Sequence, residues 1–149
     1  MQIDLNLPDQ FNVASYFLDQ NLTPDRRDRV AVIEGERQAT YDEIADLANR
    51  AGNVFLSLGV EPEQRVLLLL HDTIEYPAAF WGAIKIGAVP IPTNTLMRPS
   101  DYAYFLNDSR AKVAVVDEAL WPQVAEVRDR LKFLRHVVVV GRAPEGLPA

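Results

Sequence analysis

The sequence contains no cysteine. That excludes a disulfide framework, a thiolate nucleophile and a cysteine-ligated zinc site. Histidine is nearly as scarce. His71 and His136 are the only two, and neither lies in a metal-ligand spacing, so no metal site is expected. The seven glycines (Gly35, Gly52, Gly59, Gly82, Gly87, Gly141 and Gly146) never form G-x-G or G-x-x-x-x-G-K-[ST]. Neither a dinucleotide fingerprint nor a Walker phosphate loop is present. Ser15, Ser57, Ser100 and Ser109 lie in no nucleophile-elbow pattern. No apolar run approaches the roughly 20 residues that span a bilayer. Met1-Gln2-Ile3-Asp4-Leu5 lacks the basic and apolar regions of a signal peptide. Basic residues are also in deficit: 15 Lys and Arg face 21 Asp and Glu, a formal charge of −6 with no basic stripe. Nucleic acid and anionic membrane are therefore not expected partners, and a cytoplasmic location is the expectation.

What is present is a soluble-domain composition, 48% apolar and 24% charged over 149 residues, enough for one respectable core. The chain is organised around Arg65-Val66-Leu67-Leu68-Leu69-Leu70, a short continuous apolar run of the kind that forms a strand buried on both faces. His71-Asp72-Thr73 breaks it with groups able to cap a helix. Pro77 suits a first helical turn. Ala78 to Ile86 is apolar except for Lys85, so a helix buried on most sides is expected, ended by Gly87. Ala88-Val89-Pro90-Ile91-Pro92 is the next strand, and the connection reads as a right-handed βαβ crossover.

Upstream, Met1 to Gln10 reads as an irregular lead-in, Phe11 to Leu22 as a helix and Asp25 to Arg29 as a solvated loop. Val30-Ala31-Val32-Ile33 and Arg37-Gln38-Ala39-Thr40 flank Glu34-Gly35-Glu36, a hairpin signature. Thr40-Tyr41-Asp42-Glu43 fits a capping box. Ile44, Leu47, Ala48, Ala51, Val54, Phe55 and Leu58 form one helical stripe that stops at Gly59. Downstream, Thr93 to Pro99 is a polar loop, and Ser100 is placed to cap a helix running to about Asp108. Lys112 to Val116 is a buried strand. Asp117 is placed to cap a helix carrying Leu120, Val124, Val127 and Leu131. His136 to Val140 is the last strand.

From Arg65 onward the pattern is β-α-β-α-β-α-β, an α/β class with a parallel sheet. Pro90 and Pro92 cannot donate to a ladder, which puts the second strand of this run at an edge. The expected order is 2-1-3-4, a flavodoxin-like sheet with helices on both faces, preceded by a β-hairpin and helix. The expected organisation is 1–64 for the N-terminal helix, hairpin and helix, 65–141 for the parallel α/β unit, and 142–149 for a tail.

In such sheets ligands bind beyond the carboxyl ends of the strands, at the switch point. His71, Asp72, Thr73 and Asp117 belong there, with Thr93 to Arg98 nearby. His71 reads as a ligand contact or a capping residue, and Asp117 as a ligand-orienting group or a helix cap. Phe80, Trp81, Tyr102 and Tyr104 read as an aromatic lining or as core. Thr93-Asn94-Thr95 reads as a ligand-contacting loop or one that satisfies its own backbone. No catalytic set is complete in these residues.

The ordered motifs resemble those of the adenylate-forming enzymes, which include acyl-CoA synthetases, peptide-synthetase adenylation domains and luciferases. Thr40-Tyr41-Asp42-Glu43-Ile44 looks like their first core motif. Trp81-Gly82-Ala83-Ile84-Lys85-Ile86-Gly87-Ala88-Val89-Pro90 looks like the second, and Tyr104-Phe105-Leu106-Asn107-Asp108-Ser109-Arg110 continues the match. Phe11-Asn12-Val13-Ala14, Asp72-Thr73, Pro77, Phe80 to Ile84 and Asn94-Thr95 are similar to benzoate–CoA ligases and their relatives.

The resemblance implies the N-terminal segment of an enzyme that joins an aryl acid to ATP, releases pyrophosphate and transfers the acyl group to coenzyme A, with Mg as metal. The family's phosphate loop, aryl pocket, ribose-binding Asp and catalytic Lys are not among these residues, so no catalytic residue carries over and this segment alone is expected to hold no cofactor. By position, Thr95 and Leu96 correspond to a loop that approaches the coenzyme A nucleotide in the related acetyl-CoA synthetases. The competing readings are a self-contained flavodoxin-like binding module and an adenylation domain that loads a carrier protein. A severed segment is also expected to self-associate, through the Val30–Leu58 unit and the edge of the strand His136 to Val140.

Overall fold

The structure, a computed structural model, describes residues 7–142. The lead-in at 1–6 and the tail from 143 onward lie outside the described residues. Strand β1 (Val30–Glu34) pairs antiparallel with β2 (Arg37–Thr40), and Gly35 takes the positive φ of 57° that a tight hairpin needs at its first loop position. Helix α2 (Tyr41–Ser57) opens on the expected capping box. The Thr40 hydroxyl accepts the Glu43 N–H and the Glu43 carboxylate accepts the Thr40 N–H at 2.8 Å.

The parallel sheet follows as β3 (Arg65–Leu69), β4 (Val89–Pro92), β5 (Val113–Asp117) and β6 (His136–Val140), in the order β4-β3-β5-β6. This is the expected order 2-1-3-4. The edge position of β4 follows from its prolines. The Val89 N–H donates to the Gln64 carbonyl at 2.8 Å and the Thr93 N–H to the Leu68 carbonyl at 3.0 Å. The alternation of the strand turns the nitrogens of Pro90 and Pro92 to the outer edge, where no donor is needed.

Helices cover both faces of the sheet. On one face α3 (Glu75–Lys85) packs between the sheet and α2, and Val66, Leu68 and Leu70 meet Phe55, Ala79 and Ala83. On the other, Leu67 and Leu69 meet Tyr102 and Leu106 of α4 (Pro99–Asp108) and Val124 of α5 (Trp121–Ala125). As expected, every residue of α3 is at least half-buried. Its one basic side chain, Lys85, is held at 2.7 Å from both Asp19 and Asn49.

Several local expectations are corrected. The helix expected over Phe11 to Leu22 is broken into α1 (Val13–Phe17) and a 3-10 turn at Asp19–Asn21, because Leu18 turns inward to the hairpin core and Asp19 to Lys85. Val54 of the α2 stripe is exposed, and Gly52 takes its place against α3. His71, Asp72 and Thr73 do not cap α3. The Ile74 N–H is instead taken by Glu34 of the hairpin at 2.8 Å, while Arg37 bridges Glu34 and Glu75. Ser100 caps nothing. Pro99 occupies the first turn of α4, and Asp101 accepts the Arg98 N–H. Asp117 accepts the Ala119 N–H in a turn ahead of α5. The helix expected to reach Leu131 ends at Ala125 and gives way to a 3-10 turn at Arg128–Arg130, where Asn107 of α4 ties the Arg130 carbonyl and the Lys132 N–H.

Candidate functional site

The carboxyl ends of β3 and β4 open onto a cleft of about 350 Å³ lined by His71, Asp72, Tyr76, Thr93, Asn94 and Thr95, with Leu70 and Pro92 beneath. Two devices shape it. The first is a pair across the strand ends: His71 Nδ1 lies 2.8 Å from Asp117 Oδ2, joining a residue two positions past β3 to the last residue of β5. The other Asp117 oxygen accepts the Ala119 N–H at 3.0 Å, so both oxygens are engaged. Burial pushes the Asp117 carboxyl up, but the His71 ring and the Ala119 N–H outweigh it and hold the group below its ordinary value.

The second device is the loop after β4. Thr93 continues the ladder to Leu68, and its hydroxyl donates to the Ile91 carbonyl at 3.1 Å. The Asn94 side chain accepts the Leu96 N–H at 2.9 Å. From below, the Tyr102 hydroxyl donates to the Asn94 carbonyl at 3.1 Å and accepts the Met97 N–H at 3.2 Å.

The electrostatics restrict what the cleft takes. Its lining holds Asp72 and no Lys or Arg. Burial, and then the charge of Asp72, pushes the Tyr76 hydroxyl up, so it stays a neutral hydrogen-bonding group. Neutral polar ligands suit this lining better than anions do. Among the described residues no three or more His, Cys, Asp or Glu side chains cluster as a metal site would need.

His71, Asp72, Thr93, Asn94 and Thr95 thus come together, and Asp117 joins them through His71. Thr73 stays outside the lining and donates its N–H to the His71 carbonyl. Leu96 points to solvent at 90% exposure. The four aromatics do not form a lining. Phe80 and Trp81 pack edge to face, with Trp81 stacked on Phe17, while Tyr102 is core and Tyr104 is exposed beside Phe105. No motif in the sequence marks Tyr76 as a lining residue. It sits one helical position before Pro77, and the position of α3 relative to the strand end was the only signal for it.

The Asp117 contacts give a pH test. A carboxyl whose folded pKa is depressed contributes stability above its unfolded value and loses it as pH falls through the folded value. Stability therefore drops below about pH 4. Asp117→Ala is expected to cost about 1–2 kcal/mol near neutrality, discounted for the half-exposed histidine, and to flatten that acid limb. Urea unfolding across pH 2–7 checks both; an unchanged slope in the variant would remove the role given to Asp117.

A family model described as AMP-binding enzyme matches residues 19–148. Benzoate–CoA ligase from Thauera aromatica is 41% identical over 142 residues, 95% of this chain and 27% of that protein. The 4-hydroxybenzoate–CoA/benzoate–CoA ligase of Rhodopseudomonas palustris is 38% identical over 90% of this chain and 25% of its own length. Among solved structures, the anthranilate CoA ligase AuaEII in complex with anthranoyl-AMP superposes with a TM-score of 0.86 at 36% identity, covering 90% of this chain and 26% of that one. A benzoate CoA ligase from Burkholderia xenovorans gives 0.79 at 34% identity, covering 89% and 26%. The chain spans about a quarter of the length of the curated relatives it matches. With the model match covering most of its residues and the strand order it folds into, the chain belongs to the AMP-binding enzyme family.

Proposed function

We propose that this chain forms the N-terminal segment of an ATP-dependent aryl-acid–CoA ligase acting on an acid of the benzoate class. The whole enzyme joins the carboxylate to AMP with release of pyrophosphate, then passes the acyl group to the thiol of coenzyme A with release of AMP. The observation that carries this reading is 41% identity to a benzoate–CoA ligase over 95% of the chain. ATP, Mg and coenzyme A serve the whole enzyme. The cleft described here has no cation and an acidic edge, so it does not fit a triphosphate. The phosphate-holding groups belong to the remainder of the enzyme, and this segment provides a shaped wall beside them. Thr95 and Leu96 are the residues proposed to approach coenzyme A. Thr95 lines the cleft, and Leu96 stands outward where a larger ligand would pass. The cytoplasm, which supplies both ATP and coenzyme A, is the location proposed for the enzyme.

The test is benzoate-dependent ATP–pyrophosphate exchange by the full-length protein, followed by mass detection of the thioester. Benzoate, hydroxybenzoates and 2-aminobenzoate are compared with a fatty acid, and coenzyme A with a carrier protein. Exchange driven only by the fatty acid, or a thioester formed only on the carrier, would overturn the reading.

The isolated 149-residue segment is expected to show no exchange above background and to self-associate. Its α2 stripe is already covered by α3, which leaves the outer edge of β6 and the exposed Val30 and Ile33 of the hairpin as the surfaces that pair. Light scattering after size exclusion checks this; a monomeric mass over a wide concentration range would contradict it.

A further inference from the structure

Tyr102 is the largest side chain with no solvent exposure, and it lies in the apolar layer between the sheet and α4. Phenylalanine would serve that packing as well. The hydroxyl does something else: it leaves the apolar layer and makes two hydrogen bonds to the backbone of the loop after β4, one at Asn94 and one at Met97. Those anchor points bracket Thr95, the loop residue that lines the cleft. Burial and the charge of Asp101 raise this phenol while the Met97 N–H partly lowers it, so it stays neutral and is donor and acceptor at once.

Among the substrates of the proposed ligase, ATP and the aryl acid reach their reaction as anions, which the Asp72 edge and the lack of cations disfavour. Coenzyme A is also an anion at its nucleotide end, but its pantetheine arm is the longest uncharged stretch of amides and hydroxyls among the three substrates, and it matches the Thr93, Asn94, Thr95 and Tyr76 groups. We propose that Tyr102 is a positioning residue for the acyl-transfer half-reaction, holding the 93–98 loop so that Thr95 meets the neutral arm of coenzyme A. This rests on the ligase reading above.

The test uses the full-length enzyme and two assays: benzoate-driven pyrophosphate exchange, which needs no coenzyme A, and complete thioester formation. Tyr102→Phe keeps the ring and removes both loop bonds. The KM for coenzyme A is expected to rise about five-fold or more, whereas exchange falls less than about two-fold. Loss of both half-reactions in equal measure, or an unaltered KM, would overturn the inference. Should Tyr102→Phe fail to fold, Thr95→Val tests the same loop from its exposed side and must give the same split; an unaltered KM there overturns the inference equally. A wild-type enzyme that makes acyl-AMP but no coenzyme A thioester instead refutes the acceptor of the ligase reading, a result distinguishable from either variant's.

Discussion

Replacing Gly82 with alanine is expected to destabilise the protein by about 1–3 kcal/mol, the usual cost of overfilling a packed site. An isolated helix would respond with the opposite sign, since Gly→Ala in a helix interior gains about 1 kcal/mol. The reversal comes from the crossing of α2 and α3. A Cβ on Gly82 would stand 2.6 Å from the Ala48 carbonyl oxygen, 2.9 Å from Ala51 Cβ and 2.9 Å from the Gly52 nitrogen. Two of these three neighbours are backbone atoms, so no side chain can swing away, and the helices must separate. The reciprocal position is less crowded: a Cβ on Gly52 meets the Gly82 oxygen at 3.1 Å and the Ile86 side chain at 3.2 Å. The expected order of loss is therefore Gly82→Val, then Gly82→Ala, then Gly52→Ala. Denaturant midpoints of the three variants check it, and a Gly82→Ala protein as stable as wild type would show that the helices cross further apart.

This crossing marks the boundary of what the sequence discloses. The strands at Leu67, Ala114 and Val138 were legible because a buried parallel strand must be a short apolar run, and the edge of the sheet because proline has no N–H. The capping box at Thr40 was legible because both its partners lie within one turn. Contacts between distant residues were not. Glu34 caps α3 from forty positions away, and a run of three polar residues nearer to that helix was the wrong local signal. From the sequence Asp117 reads as a helix cap or a ligand-orienting group, and only the parallel register that sets β3 beside β5 brings it to His71. The cleft could be placed from strand ends alone. Its dependence on Tyr102 could not, since a tyrosine at helical spacing reads as core, and it is core in every atom but its hydroxyl.

The second large effect lies in β3. Leu68→Ala should cost about 2–5 kcal/mol, because the side chain is wholly buried and its removal leaves a cavity between sheet and α3. Leu67→Ala should cost a comparable amount for the same reason, but in a different compartment. The strand alternates, so Leu68 shares its cluster with Phe55 and Ala83, while Leu67 faces Tyr102, Leu106 and Val124. That partition makes a sharper prediction than either single loss. Milder changes keep the fold measurable for a double-mutant cycle: Leu68→Val with Phe55→Leu, and Leu67→Val with Phe55→Leu. The first pair shares one packed layer and should depart from additivity by about 0.5 kcal/mol or more, whereas the second, separated by the sheet, should add within about 0.3–0.5 kcal/mol. Unfolding free energies of the five variants and wild type decide it. Equal coupling in both cycles would mean that the two apolar layers respond as one core and that β3 does not divide them.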